Sequence, residues 1–287
     1  QTAITRNATL RRLWPLSLVL SPPEDTTVEG RPVLNLSFAL NYAFSGLNTR
    51  SYHLFNIGLH VLNGLILFGI MRRTLLLPVF SGRFRATATP LALATALLWT
   101  VHPLQTESVT YIVQRAESLM ALFYLLTLYC TVRGAESPRP RRWYLCAWAS
   151  CLLGMASKEV MVSAPLILLL YDRAFLSSSF KAAWRRRGAW YAAFAATWIL
   201  LVALIAAGSG RSGTTGFGHK MNAWQYARTQ GGFIAHYLQL CFWPHPLVLD
   251  YGMYIESRFW HVALPLVLLL ALLWATAWAW WRLPWAG

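Results

Sequence analysis

Long apolar runs separated by short polar or basic segments are the main pattern of this chain. A helix that crosses the hydrocarbon core of a bilayer needs about 20 mostly apolar residues. The runs therefore predict an all-α fold, a polytopic membrane helix bundle. The predicted spans cover residues 54–71, 88–101, 117–132, 143–157, 160–172, 190–207 and 259–281.

The basic residues cluster between these spans. The chain carries 25 Lys and Arg against 10 Asp and Glu, and 56% of its residues are hydrophobic. Basic residues that flank membrane spans mark the cytoplasmic side. We therefore interpret the net charge of +15 as a sign of topology and expect no nucleic-acid partner. The clusters are Arg72, Arg73, Arg83 and Arg85, then Arg133, Arg139, Arg141 and Arg142, then Arg173, Lys181, Arg185, Arg186 and Arg187.

Two other apolar segments are predicted to lie at the outer membrane interface. Residues 224–243 would carry Arg228 and His236 through hydrocarbon, where one charge at the helix centre costs about 2.5–3.5 kcal/mol. The segment 31–46 is too short for a membrane span. It begins at Arg-Pro and ends at Gly, which is typical of a short helix with defined limits. We predict an interfacial helix for each, the second within an outer segment that covers residues 1–53.

A stretch between two predicted spans, VHPLQTESVTYIVQRAE (101–117), carries His102, Glu107, Arg115 and Glu117. Half of its residues are apolar, so we expect it to re-enter the membrane or to pack against the bundle. Charges in such partly dry surroundings need partners. Two interpretations remain open: Glu107 and Arg115 pair with each other, or the group faces a polar site.

A polar stripe lies on the first predicted span. His53, Asn56, His60 and Asn63 recur three or four positions apart and therefore share one helix face. His60 and Asn63 lie deeper and predict hydrogen bonds to neighbouring helices. For His53 and Asn56, near the outer end, a polar cavity is an equal alternative to such packing.

The segment ASKEVMVSAP (156–165) places Lys158 and Glu159 in a tight outer turn. The pair either caps two helix ends in solvent, or Lys158 meets the phosphate of a lipid at the headgroup level. The cysteines show no spacing typical of disulfides or metal ligands, and no metal ligands are predicted. Whether a divalent cation assists as a cofactor stays open. The four cysteines are Cys130, Cys146, Cys151 and Cys241.

Four segments resemble one known family in their order and spacing. That family is the transmembrane and tetratricopeptide-repeat-containing (TMTC-like) family of protein O-mannosyltransferases. The segments are GRPVLNLSFALNYAFSGLNTRSYHLFNIGLHVLNGLILF (30–68), VHPLQTESVTYIVQRAESLMALFYLLTLYC (101–130), ASKEVMVSAPLILLLYD (156–172) and TQGGFIAHYLQLCFWPHPLVLDY (229–251).

The resemblance implies a membrane glycosyltransferase of the GT-C type. Such an enzyme transfers a sugar, here mannose, from a polyprenyl or dolichyl phosphate to a hydroxyl acceptor such as a protein Ser or Thr, outside the cytoplasm. The implied partners are this donor, the acceptor and membrane lipids. Two alternatives remain: a transporter or flippase for lipid-linked sugars, and a non-catalytic membrane scaffold.

Outer-side cations within the matching segments are expected to hold the donor phosphate, because an Arg binds phosphate bidentately and a Lys acts as a point charge. The acidic pair of the family would fall just upstream of Gln1, so Glu107 is the substitute candidate for the catalytic carboxylate. The expected substrate-binding residues are Arg31, His53, Asn56, His102, Arg115, Glu117, Lys158 and Glu159.

We expect residues 1–287 to form one transmembrane glycosyltransferase-like domain, a piece that lacks the first helix and the repeats of the family. Activity of this piece alone is therefore in question. The lack of disulfide-like cysteine pairing favours a bacterial inner membrane over the membrane of the endoplasmic reticulum.

Overall fold

A computed structural model describes residues 2–24, 26–207, 223–248 and 259–282. These residues form helices and connecting turns without a β-strand, which confirms the all-α prediction for the part described. The α-helices are α1 (Thr2–Thr5), α2 (Leu16–Leu20), α3 (Pro32–Ser45), α4 (Thr49–Leu75), α5 (Ala88–Val101), α6 (Thr106–Thr110), α7 (Arg115–Glu136), α8 (Pro140–Met155), α9 (Ala164–Tyr171), α10 (Phe180–Ala207), α11 (Ala223–Phe242) and α12 (Phe259–Arg282).

The chain divides into two compact units, Gln1–Arg211 and Ser212–Gly287. The single-domain prediction for residues 1–287 therefore stays a prediction. The first unit holds every residue predicted for the functional site. In the second unit, α11 and α12 line an open, mainly apolar pocket of about 530 Å³. The interfacial placement predicted for residues 224–243 also stays a prediction, although the helix itself is present.

Among the described residues, four helices are long and apolar enough to cross a membrane: Thr49–Leu75, Ile112–Glu136, Phe180–Ala207 and Trp260–Arg282. They contain four of the seven predicted spans, and the chain is a multi-pass membrane protein. The predicted span 88–101 matches α5, but at 1.5 Å per residue its 14 residues reach only about 21 Å of a core roughly 30 Å thick. Helix α8, for the predicted span 143–157, reaches about 24 Å over 16 residues.

Two predicted elements differ from the structure. The predicted span 160–172 consists of a 3₁₀ turn over Glu159–Ser163, the eight-residue α9 and a π-helical turn over Asp172–Leu176. Helix α10 begins about ten residues before the predicted start at 190. Its first turns contain Lys181 and Arg185–Arg187, because Ala and Arg favour helices and long basic side chains keep their charged heads in water while their stems pack.

Helix α4 packs against α5 and α7, α7 packs against α8, and α8 packs against α10. At Gly64 of α4 an added Cβ would lie 2.5 Å from Oγ1 of Thr100 in α5, so only glycine allows these helices to approach so closely. A buried cluster between α7, α8, α9 and α10 includes Cys130, Cys151 and Phe194. Both cysteines are free thiols that fill this core, whereas Cys146 and Cys241 are exposed.

The turns of the first unit gather at two ends. One end, called here the basic end, holds the turns that carry the basic clusters. There Arg73 of α4 pairs with Glu136 of α7 at 2.8 Å. At the other end, called here the polar end, the N-terminal segment and α3 pack on α4 and α7. Helix α3 begins after Arg31 and stops before Gly46, whose φ of 58° suits glycine, so the predicted limits of this helix are confirmed.

Candidate functional site

Arg115 lies at the first position of α7 at the polar end, and its side chain is completely buried. Its Nε donates to Oδ1 of Asn56 and its Nη2 to Oδ1 of Asn41, each at 2.7 Å. Its Nη1 donates to the carbonyl of Ser37 and its Nη2 also to that of Tyr52, each at 3.2 Å. Four of the five guanidinium N–H groups are therefore used on neutral acceptors.

Three aromatic rings complete this enclosure, which we call the Arg115 cage. The guanidinium carbon lies 4.3 Å from the ring centre of Phe55, 4.6 Å from that of Phe38 and 5.4 Å from that of Tyr52. Ring faces attract a weakly hydrated guanidinium, so the cage holds a cation on neutral groups. The side chain has no exposed surface, so this geometry gives the cage a role in the fold, and the contact of Arg115 with the substrate phosphate stays a prediction.

Of the two interpretations of this stretch, the pairing of Glu107 with Arg115 is wrong. Glu107 lies in the first turn of α6, is exposed, and accepts a hydrogen bond from Nε2 of Gln114 at 2.8 Å. Arg115 turns inward between α3 and α4, because α7 begins at this residue. Asn56 accepts a hydrogen bond within the Arg115 cage, and its predicted contact with substrate stays a prediction.

A second group of charges at the polar end is open to solvent in part. Nζ of Lys158 pairs with Oε1 of Glu117, and Nη2 of Arg31 lies 3.1 Å from both carboxylate oxygens of Glu159. The cations are 14–15% exposed, whereas both carboxylates are 35% exposed. We call these four residues the ion-pair cluster. Each pair joins two residues that the sequence predicted to bind substrate, and the two pairs are linked through the adjacent residues Lys158 and Glu159.

The local backbone explains how this cluster forms. Lys158 is extended, with φ −161° and ψ 144°, so its side chain and that of Glu159 point to opposite sides of the turn. Lys158 therefore reaches α7, while Glu159 reaches the start of α3. The backbone N–H of Val33 donates to the carbonyl of Ala156 at 3.1 Å, which fixes α3 against the same turn.

Arg31 keeps one donor unused. Its Nη1 donates to the carbonyl of Thr27 at 3.1 Å, and its Nη2 bonds to Glu159. Its Nε is buried without a hydrogen-bond partner among the described residues. A buried unpaired donor costs about 1–3 kcal/mol. The Nε and Nη2 edge is one of the two edges with which an arginine can bind a phosphate bidentately.

The deeper part of the polar stripe on α4 bonds to neighbouring helices, as predicted. Nε2 of His60 lies 2.8 Å from the carbonyl of Thr100 in α5, and the His60 ring stacks on Trp99. Nδ2 of Asn63 donates to the carbonyl of Ser118 in α7 at 2.9 Å. These contacts hold α5 and α7 on α4.

His53 and His102 lie near the same end, and both are half-buried. Nδ1 of His102 accepts the backbone N–H of Leu104 at 3.3 Å and so begins a 3₁₀ turn. The described residues contain no group of three or more His, Cys, Asp or Glu side chains that could hold a metal ion.

A buried carboxylate at the basic end was not predicted from the sequence. Asp172 is completely buried, and its Oδ2 accepts from Nη1 of Arg187 at 2.7 Å and from the hydroxyl of Tyr191. Nε of Arg187 donates to the hydroxyl of Tyr144 at 2.8 Å, which joins α8 to α10. An acidic residue at the end of an apolar run, beside a basic cluster, was the signal that could have indicated this pair.

The comparisons with known proteins agree with these features. A family model described as "Dolichyl-phosphate-mannose-protein mannosyltransferase" matches residues 31–206. The chain belongs to this family. The matched part of this mannosyltransferase-family chain begins at Arg31 and includes the Arg115 cage and the whole ion-pair cluster.

The relatives carry names of the group that the four segments resemble, so that resemblance is confirmed. "Protein O-mannosyl-transferase tmtc2" of Xenopus laevis is 38% identical over 156 residues, which are 50% of this chain and 16% of the relative. The mouse "Protein O-mannosyl-transferase TMTC2" is 33% identical over 146 residues, with the same shares. The mouse "Protein O-mannosyl-transferase TMTC1" is 42% identical over 106 residues, 37% of this chain and 10% of the relative.

The matched part of this mannosyltransferase-family chain therefore spans about a sixth of the length of such relatives. These relatives are animal proteins, so they do not support the bacterial inner membrane that the cysteine pattern favoured. No solved structure matches the chain.

Proposed function

We propose that the chain is the membrane part of an enzyme that transfers mannose from a dolichyl-phosphate or related polyprenyl-phosphate carrier to a protein hydroxyl. Its membership in the mannosyltransferase family and the names of its relatives support this activity. The positive-inside rule assigns the basic end to the cytoplasm, which supports a site at the polar end on the extracytoplasmic face. The observation that carries the proposal is the ion-pair cluster at the polar end.

In this proposal Arg31 and Lys158 hold the donor phosphate. Both cations are mostly buried, and unlike Arg115 each has a carboxylate beside it. Their carboxylate partners are more exposed and can turn toward water when a phosphate takes their place. A phosphate that replaces Glu159 would also engage the unused Nε of Arg31. Glu117 and Glu159 therefore act as exchangeable counter-ions in the absence of donor.

The reaction explains why cations are needed at this place. The acceptor oxygen forms a bond to the anomeric carbon of mannose, while the bond from that carbon to the phosphate oxygen breaks. The phosphate leaves with the bonding electron pair and gains negative charge. Cations fixed beside it stabilise this charge in the transition state more than in the ground state.

A carboxylate must accept the proton of the acceptor hydroxyl. Glu107 is our proposed group within this chain, because it is an exposed carboxylate at the polar end. His53 and His102 lie near the same end and are proposed to contact the acceptor or the sugar. A complete protein with a further acidic pair would move this role away from Glu107.

The proposal predicts a loss of turnover in the full-length protein that contains this chain, when Lys158 is changed to Gln. We expect about a hundredfold lower kcat with dolichyl-phosphate-mannose, since removing one donor that stabilises transition-state charge costs about 10²–10³. Transfer of mannose to Ser and Thr of an acceptor protein is measured by mass spectrometry in reconstituted membranes.

The matched control is Glu117→Gln, which removes the ion pair but keeps the cation, and should retain activity. In the double variant Glu117→Gln/Lys158→Gln, two neutral side chains face each other and the fold no longer holds an unpaired charge. If that variant recovers turnover, Lys158 serves only its carboxylate and the phosphate role is wrong. A folded wild-type protein that transfers no mannose to any hydroxyl would refute the enzymatic proposal itself.

A further inference from the structure

The turn between α7 and α8 at the basic end contains a cavity that the transfer reaction does not use. Its volume is about 490 Å³. Two arginines and a serine form its polar rim, while an aromatic ring, a proline and a thiol form its apolar part. The lining residues are Ser137, Pro138, Arg139, Arg142, Trp143 and Cys146.

The apolar wall of this cavity is held in place. The guanidinium carbon of Arg133 lies 4.5 Å from the ring centre of Trp143, and the ring of Tyr129 meets the same indole edge-on at 6.5 Å. At Gly134 an added Cβ would lie 3.1 Å from the ring of Tyr144, so α7 and α8 approach closely here. Trp143 therefore forms a fixed surface that does not need a ligand to order it.

The rim of the cavity is cationic. Arg139 and Arg142 are exposed, and within the described part of the chain neither forms an ion pair. The nearest acidic residue in sequence, Glu136, is engaged by Arg73 at 2.8 Å. The backbone N–H of Arg139 donates to Oγ of Ser137, which fixes the short turn that carries both arginines.

An apolar track leads away from this rim. Cys146, Ala149 and Leu153 are exposed on α8 and follow one another at helical spacing toward the middle of the bundle. A site with cations at the depth of a membrane surface and an apolar track below them matches an amphipathic anion. Basic pockets between helices on the cytoplasmic side are known to hold anionic lipid headgroups, and interfacial Trp residues lie at headgroup level.

We propose that this cavity binds the phosphate headgroup of an anionic phospholipid from the cytoplasmic leaflet, with Arg139 and Arg142 on the phosphate and Trp143 beside the glycerol backbone. The acyl chain follows the exposed face of α8. The site lies at the end of the bundle opposite the ion-pair cluster, so it is separate from the proposed donor site.

Cys146 lines the cavity and therefore reports its occupancy. Cys130 and Cys151 are buried, and Cys241→Ser removes the other exposed thiol. This variant of the full chain is reconstituted into nanodiscs of phosphatidylcholine alone or with added phosphatidylserine. The rate of modification by an uncharged maleimide is then measured. We expect phosphatidylserine to slow modification of Cys146.

The controls separate this site from general surface charge. Arg139→Gln/Arg142→Gln should abolish the protection, and each arginine should contribute about fivefold in lipid affinity. Arg141→Gln removes one positive charge, as Arg139→Gln or Arg142→Gln alone does, but from an exposed neighbour that does not line the cavity, and it should leave the protection intact. Native mass spectrometry of the same variants counts retained anionic lipids and checks that the protein is folded.

Three results would overturn the proposal. Equal protection in Arg139→Gln/Arg142→Gln and in wild type would exclude a role of the cavity. If Arg141→Gln lost as much of the Cys146 protection as the cavity variant, the effect would be one of general surface charge. Protection by a large excess of inorganic phosphate in phosphatidylcholine nanodiscs would identify a soluble anion, and not a lipid, as the ligand.

Discussion

The Arg115 cage and the ion-pair cluster lie at the same end of the bundle and hold their cations in different ways. Arg115 is fully buried and bonds to neutral amides and carbonyls. Lys158 keeps about a seventh of its side chain exposed and pairs with a carboxylate that is itself 35% exposed. A cation without exposed surface stabilises the fold, whereas one with an exchangeable partner can receive a ligand.

The largest effect that tests this comparison is expected for Arg115→Ala. The substitution leaves the carbonyl oxygens of Asn41 and Asn56 without their donor and empties the centre of the cage. Because an unsatisfied buried polar group costs about 1–3 kcal/mol, we expect about 3–5 kcal/mol lower stability, with loss of folded protein. Thermal unfolding in detergent measures this loss of stability.

Arg141→Gln is the control for loss of one arginine, because Arg141 is exposed and should change stability by less than about 0.5 kcal/mol. An Arg115→Ala protein with wild-type stability and reduced donor affinity would reverse the assignment. Arg115 would then be the ligand-binding cation.

The buried pair at the basic end gives the second effect. In Asp172→Asn the carboxylate charge is lost. Arg187 stays charged, is 13% exposed and still donates a hydrogen bond to Tyr144. Breaking a buried pair by removing one partner costs about 3–5 kcal/mol. We expect the free energy of unfolding in detergent to fall by an amount in the lower part of this range, since Arg187 retains one hydrogen bond.

The double variant Asp172→Asn/Arg187→Gln sharpens the test. If the unpaired charge causes the loss, this variant should be more stable than Asp172→Asn alone. Unchanged turnover of donor by the folded fraction is expected, because the pair lies at the end opposite the proposed site. A selective loss of turnover at full stability would contradict the separation of the two ends.

Local sequence signals predicted much of the fold but little of the cage. Arg31-Pro32 and Gly46 delimit α3 correctly, because proline at the first helical position and glycine after the last one act locally. The Arg115 cage joins residues 59 and 74 positions apart, so no short motif encodes it. The pairing of Arg115 with Glu107, one of the two interpretations of this stretch, was wrong for this reason.

The ion-pair cluster could be predicted as a set of residues but not as pairs. Lys158 and Glu159 are adjacent, and a pair in solvent was the simple interpretation. The extended backbone at Lys158 separates their side chains and gives each a partner from a distant helix. Backbone conformation at a single residue, which sequence pattern does not report, determined these contacts.

The smallest effect is expected for Arg31→Lys, which keeps a cation opposite Glu159. Stability should change by less than about 1 kcal/mol, since partly exposed ion pairs contribute little. A lysine lacks the Nε and Nη2 edge, so a phosphate bound there would lose one of two hydrogen bonds. A charge-assisted hydrogen bond contributes about 1.5–3 kcal/mol, and we expect about a tenfold higher KM for dolichyl-phosphate-mannose.

Arg31→Gln separates charge from geometry in the same assay. It removes both the cation and the bidentate edge, so its KM should rise further and its kcat should fall, because leaving-group charge is then less stabilised. Equal kinetics for Arg31→Lys and wild type would mean that Arg31 acts as a point charge, as Lys158 does. Equal kinetics for Arg31→Gln and wild type would confine the phosphate site to Lys158, and the pair Arg31–Glu159 would then resemble the Arg115 cage in serving the fold alone.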